Sequence, residues 1–277
     1  MGWTHPSLTR RVALVTGGGR GLGREMALAL AGAGCRVAIL GSAETPELAQ
    51  TLDDALSLGA DAIAVTADVS DFAACAAAVE QAAERFGRID VLVNNAGRGM
   101  RLISETFTTR PVKFWEIEPA TWRRIIDINV TGAFNMARAV TPGMVAQGFG
   151  RIVNISTSAQ TMVRRGYAPY GPSKAALEAA SRVWAQDLAG TGVTVNVLLP
   201  GGAADTDLLP GGPNRRGADG NLLDPAIMRA AMVWLASDAS GENTGGRYIA
   251  RLWDESLPPE EAAAKARSSP VAEPAIM

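Results

Sequence analysis

Tyr170 and Lys174, in the run Tyr170-Gly-Pro-Ser-Lys174, stand four residues apart, which puts both side chains on one face of a helix. A free phenol titrates at about 10 and is a poor base near neutrality. An ammonium beside it favours the phenolate and draws that pKa towards working pH, which is the equipment of general acid–base chemistry. As a plain surface pair the same two residues would contribute about 0.2–0.5 kcal/mol and no chemistry. A second cluster, Thr16-Gly-Gly-Gly-Arg-Gly-Leu-Gly23, follows an apolar run and precedes a helical one. Its glycines allow a tight turn and close backbone approach to a pyrophosphate, and the N-terminus of the next helix supplies N–H groups and partial positive charge for that anion.

These residues need elements to position them. Arg11 to Thr16, Arg36 to Leu40, Ala62 to Thr66, Ile89 to Val93, Arg151 to Ile155 and Val193 to Leu199 are short apolar runs of the kind that form strands covered on both faces. Between them lie helical patterns over Arg24–Gly34, Pro46–Leu58, Asp71–Phe86, Ala120–Val145 (bent near Pro142 and Gly143), Ser173–Leu188 and Pro225–Ala236. This alternation predicts an α/β fold, a doubly wound parallel sheet with helices on both faces, as one domain over residues 1–257. Gly246 to Leu252 reads as a last edge strand. The Ala-, Pro- and Glu-rich stretch 258–277 reads as a flexible tail.

Composition narrows the function classes. With 26 Lys and Arg against 28 Asp and Glu, the net charge of −2 offers no footprint for a nucleic-acid backbone. No run approaches the length of a membrane span, no targeting segment is visible, and Met1-Gly2 is followed at position 6 by Pro rather than Ser or Thr. Cys35 and Cys75 are read as small buried side chains and the sole His5 lies near the N-terminus, so no metal site is expected. A cytoplasmic location fits that cysteine usage.

Four motifs, in order, resemble those of the short-chain dehydrogenase/reductase family. They are TGxxxGxG at Thr16–Gly23, NNAG at Asn94–Gly97, YxxxK at Tyr170–Lys174, and Pro200-Gly201 after the sixth strand. Together they extend the likeness over residues 11 to about 250. The resemblance implies a Rossmann-type fold and hydride transfer between a nicotinamide cofactor and a carbonyl or secondary alcohol. Tyr170 would exchange the proton with the substrate oxygen, and Lys174 would also hold the nicotinamide ribose. The family's polarising hydroxyl comes from the end of the fifth strand, here Asn154-Ile-Ser-Thr-Ser158. The family's commonest spacing lands on Thr157, but we favour Ser158, because serine is the usual residue there and the threonine methyl crowds the site. Asn129 resembles the fourth catalytic member, implied to hold a water that relays protons from Lys174. A non-catalytic, dinucleotide-binding regulator with the same fold is the rival reading.

The same resemblance implies a cofactor site built from Gly17, Arg20, Gly21, Leu22 and Gly23, then Asp68 and Val69 at the adenine. Asn95, Ala96 and Gly97, Tyr170 and Lys174, and Pro200, Gly201 and Thr206 would complete it. NADP is favoured over NAD, because the second strand ends Leu40-Gly41-Ser42 with no acid before Glu44, while Arg20 can pair with a 2′-phosphate and Ser42 can hydrogen-bond it. Substrate contacts are expected from the stretch 98–119, with Phe107, Phe114 and Trp115, from Met162 and Tyr167, and from a lid over 202–224 with Leu208 and Leu209. These suggest an apolar or cyclic carbonyl compound. Arg164 and Arg165 could meet an anionic group or simply face water. The family also implies a homodimer or homotetramer, formed through the helices around Asn129 and Lys174.

Overall fold

A computed structural model of the chain describes residues 5–212, 215, 217 and 220–268. Seven parallel strands carry the sheet: β1 (Val12–Thr16), β2 (Arg36–Gly41), β3 (Ala62–Thr66), β4 (Val91–Asn94), β5 (Gly150–Ile155), β6 (Val193–Leu199) and β7 (Arg247–Ile249). An eighth, β8 (Arg267–Ser268), pairs antiparallel with β7, giving the order β3-β2-β1-β4-β5-β6-β7-β8. Every residue of β1, β4, β5 and β6 is buried, as strands covered on both faces require.

The helices cover those faces. On one side α1 (Gly21–Gly32), α2 (Pro46–Ser57) and α8 (Arg229–Ala236) bury Met26, Leu30, Met232 and Trp234 against the sheet. On the other, α3 (Phe72–Phe86) and α5 (Gly132–Ala146) bury Phe86, Met136, Val140 and Met144. Local chemistry fixes the ends of several elements. The Thr45 hydroxyl accepts from Leu48 N to cap α2, and the Asp71 carboxylate accepts from Ala73 N and Ala74 N to cap α3, which Gly87 ends at φ +84°. Strand order reverses between β1 and β4, so a crevice opens at their C-terminal ends.

Three expectations are corrected. The long helix is interrupted: α4 (Pro119–Ile126) passes through a turn of π-helix over Asp127–Thr131 into α5, with Pro142 accommodated inside α5. β7 is not an edge, because β8 lies outside it. Residues 259–268 are not a flexible tail, since α9 (Pro259–Ala266) buries Ala262, Ala263 and Ala266 before running into β8. Small alanines let that helix sit close to the sheet margin, a role that composition alone disguises as low complexity. Residues 269–277 lie outside the described part.

Candidate active site

The loop after β1 is shaped by glycines at two positive-φ positions, Gly17 (+62°) and Gly21 (+53°). Gly23 is required by contact instead, because a Cβ there would stand 2.1 Å from the Gly17 carbonyl oxygen. Arg20 precedes α1 without a side-chain cap, so the first-turn N–H groups are left for an anion. The Asn94–Gly97 segment clamps this loop. Asn95 donates its side-chain amide to the carbonyls of Thr16 (3.0 Å) and Gly17 (3.1 Å), while the Thr16 hydroxyl accepts from Asn95 N and Ala96 N.

Beyond this loop lies a cleft of about 1600 Å³, into which β1, β4, β5 and β6 all deliver their C-terminal ends. Gly17, Arg20, Gly21, Leu22, Ser42, Asp68, Val69, Asn95, Ala96, Gly97, Pro200, Gly201 and Thr206 all line it, together with Tyr170 and Lys174. Gly23 and Asn129 stand behind the lining. The residues fit a dinucleotide. The Thr206 methyl stands 3.0 Å from where a Gly21 Cβ would be, and a Cβ on Gly97 would be 3.7 Å from Lys174 Nζ and 3.3 Å from Asn129 Oδ1. A side chain at either glycine would crowd residues that stand across the crevice.

Tyr170 is the first residue of α7 (Tyr170–Asp187) and is buried, as is Lys174 one turn on. Burial pushes the phenol up to about 12, the Thr157 side chain that hydrogen-bonds it pulls down, and Tyr167 adds to the rise. This is opposite to the expected direction. Lys174 Nζ donates to the Ile155 carbonyl at 2.8 Å, and burial lowers its ammonium to about 8, with Glu178 opposing. Lys174 is thus anchored to the end of β5.

The two candidate hydroxyls part company. Ser158 caps the short helix α6 (Ala159–Met162), its Oγ accepting from Thr161 N at 3.2 Å and sharing a hydrogen bond with Thr161 Oγ1 at 2.9 Å. Thr157 lines the cleft with Tyr170 and lowers the phenol's pKa. Ser158, the expected hydroxyl, lines the cleft beside Thr157, with its side chain engaged as a helix cap. Asn129, in the π-turn, spends both amide hydrogens on the Arg98 carbonyl (3.0 Å) and Ser173 Oγ (2.9 Å), while its Oδ1 accepts from Arg98 N (2.8 Å). Ser173 in turn donates to the Tyr170 carbonyl at 2.7 Å. The amide thus ties the segment after β4 to the first turn of α7.

Residues that sequence reasoning passed over surround this set. Arg247, on β7, grips both carboxylate oxygens of Glu178 through Nε (3.1 and 3.0 Å), and donates to the Thr157 carbonyl (3.0 Å) and to Ser268 Oγ (3.0 Å). Tyr170, Lys174 and Glu178 follow at four-residue steps, a spacing that could have exposed Glu178. Asp68 is held by Ser70 and by Arg124 (2.9 Å), contacts that keep its carboxyl below the usual range. Arg20 pairs with Asp207 across the cleft at 3.2 Å. Of the expected substrate aromatics, Phe107 is buried beside Met100 and Tyr170 with its ring edge-on to Tyr167, but Phe114 (67% exposed) and Trp115 (66%) pair with each other outside the cleft. Met162 is buried behind the lining, whereas Leu208 and Leu209 face the cleft. Of the expected lid, residues 213, 214, 216, 218 and 219 lie outside the described part.

The chain belongs to the short-chain dehydrogenase family: the model of that family matches residues 11–212. Relatives include an acetoacetyl-CoA reductase of Cupriavidus necator, 33% identical over 87% of this chain and 96% of that protein. A 3-oxoacyl-acyl-carrier-protein reductase of Escherichia coli is also 33% identical, over 85% of this chain and 93% of its own length. Among solved structures, a gluconate 5-dehydrogenase of Burkholderia cenocepacia in complex with NADP and tartrate superposes with a TM-score of 0.75. It is 30% identical, over 90% of this chain and 95% of its own. The fold is thus the Rossmann-type one expected. The protein is a nicotinamide-dependent oxidoreductase acting on a small molecule, and the regulator reading is set aside.

Proposed function

We propose that this oxidoreductase works as an NADP-dependent carbonyl reductase with Thr157, Tyr170 and Lys174 as its catalytic residues. The observation that carries the reading is that Thr157, after the C-terminal end of β5, Tyr170 and Lys174 all line the one cleft that the glycine loop opens into. The nicotinamide, when bound, supplies the hydride. The chain supplies the proton and the geometry. A phenol held up to about 12 stays protonated throughout the neutral range, so Tyr170 Oη enters the reaction as a proton donor to a carbonyl oxygen. Thr157 completes a two-hydroxyl cradle for that oxygen. The Lys174 ammonium, lowered to about 8, is the nearby acid able to restore the phenol proton. Asn129 acts by position, through Arg98 and Ser173.

Arg20 and the acid-free end of β2 support NADP as the cofactor. The Arg20–Asp207 pair is half exposed on both sides, a contact of about 0–1 kcal/mol that a 2′-phosphate can displace. The apolar group of Met100, Phe107, Tyr167 and Leu209 next to Tyr170 suits a substrate with an apolar body. Exposed Phe134 and Val145 on α5 and Val183 on α7 support a homo-oligomer built on these helices. No described helix is long and apolar enough to cross a membrane, and two buried free cysteines suit a reducing, cytoplasmic setting. The test is Tyr170→Phe. NADPH oxidation against a panel of ketones should fall by about a thousandfold or more while NADPH affinity stays within about threefold. Near-normal turnover would overturn the assignment.

A further inference from the structure

The lining of the cleft carries a cation that the proposed chemistry does not use. The guanidinium of Arg164 lies 5.3 Å from the centre of the Tyr167 ring, and that ring stands edge-on to Phe107 at 5.6 Å. Phe107 packs with Met100 and Tyr170. An aromatic ladder therefore leads from the reacting phenol to a positive charge. The backbone stiffens it: Tyr167 N donates to the Arg164 carbonyl at 3.2 Å, and Gly171 N, next to Tyr170, donates to the Tyr167 carbonyl at 2.7 Å. Arg164 is thus tied to the start of α7 through two hydrogen bonds.

Its charge is not spent elsewhere. The other cleft arginines with carboxylate partners are Arg20 with Asp207, Arg124 with Asp68 and Arg215 with Asp205, and Arg101 pairs with Glu105. Arg164 and its neighbour Arg165 line the same cleft and have no ion pair or side-chain hydrogen bond among the described residues. The Arg164 guanidinium lies over an aromatic ring and its N–H groups have no protein partner among the described residues, which leaves a planar fork for a carboxylate or phosphate. Charge balance agrees: the described lining of the cleft holds eight basic side chains against four acidic ones, in a chain of net charge −2.

We propose that Arg164, with Arg165 at the rim, is an oxyanion subsite, and that the substrate is an oxo compound bearing a carboxylate or phosphate at the far end of an apolar spacer. The carbonyl would lie at Thr157 and Tyr170, the spacer along Phe107 and Tyr167, and the anion at the guanidinium. This rests on the carbonyl-reductase reading and adds which carbonyl compounds are taken.

The test compares a homologous series of straight-chain oxo acids with the methyl ester of each, using the whole chain and NADPH. The wild-type protein should prefer the acid of best-fitting length over its ester by about tenfold or more in kcat/KM, carried by KM. Arg164→Gln should collapse that acid-to-ester ratio towards one, and Arg164→Lys should restore part of it. Equal use of acid and ester by the wild type, or a ratio unmoved by Arg164→Gln, would overturn the subsite. Calorimetric binding of the same acids and esters separates the two claims. Acid-selective binding without turnover keeps the subsite and removes the reductase reading. Ester turnover without acid preference keeps the reductase and removes the subsite. A phosphate monoester that competes better than the oxo acids would identify phosphate as the natural anion, again through Arg164.

Discussion

At the scale of single residues, neighbouring hydroxyls divide the labour at the end of β5. Thr157 is the hydroxyl proposed to hold the substrate oxygen and Ser158 caps a helix, so their removal should have different signatures. Thr157→Val should lower kcat by about a hundredfold with little change in melting temperature. Ser158→Ala should cost about 1 kcal/mol of stability in a denaturant titration and leave kcat within a few fold. Lys174 sets the pH response. In the proposed reaction its ammonium, lowered to about 8 by burial, is the form that replaces the proton Tyr170 gives up. Carbonyl reduction should therefore be flat below that pH and fall with unit slope above it, while alcohol oxidation rises over the same interval. A steady-state profile in both directions checks the sign. The Tyr170–Lys174 pair was legible from its spacing only together with the other motifs of the chain. The choice between Thr157 and Ser158 was not, because it turns on where α6 begins, and a four-residue helix leaves no periodic trace in the sequence.

At the scale of elements, strands β1 to β6 and most helices could be read from apolar runs and their caps, since each lies where local pattern and tertiary burial agree. What escaped were elements defined by partners distant in the chain. β8 is two residues long and α9 is half alanine, so neither carries a pattern of its own, and β7, read within Gly246–Leu252, was taken for an edge because β8 went unseen. Phe114 and Trp115 illustrate the converse. Large aromatics near a site suggested contact with it, yet they lie on a short 3₁₀ turn that faces outward. The interlock of β7 with α7 and β5 makes a prediction at this scale. Arg247→Met strands Glu178 in a buried setting and should cost about 3–5 kcal/mol, read from a denaturation midpoint. Adding Glu178→Met should recover much of that stability. Turnover should stay low in the double variant, because the Thr157 carbonyl still lacks the donor that holds it. Full recovery of kcat together with stability would show that Arg247 does nothing for the site.

At the scale of the whole molecule, the parallel sheet places the glycine loop, the Asn94–Gly97 segment, Thr157 and Pro200-Gly201 at one edge because every contributing strand points the same way. That convergence follows from strand direction and right-handed crossovers, and so was inferable before any coordinates. The assembly state was inferable only through family resemblance. The apolar side chains that α5 and α7 show to solvent predict a mass by light scattering of two or four chains at micromolar concentration. Phe134→Glu together with Val183→Glu should reduce it to one.

The hook of Ser268 onto Arg247 also has a consequence in time. The carbonyl that Arg247 steadies belongs to residue 157, and the serine that closes the arrangement is made more than a hundred residues later. A chain still emerging from the ribosome can assemble its glycine loop long before its reaction centre is finished. A protease that clipped the protein between β7 and α9 would return it to that unfinished condition, with the nucleotide crevice intact and the chemistry unsupported.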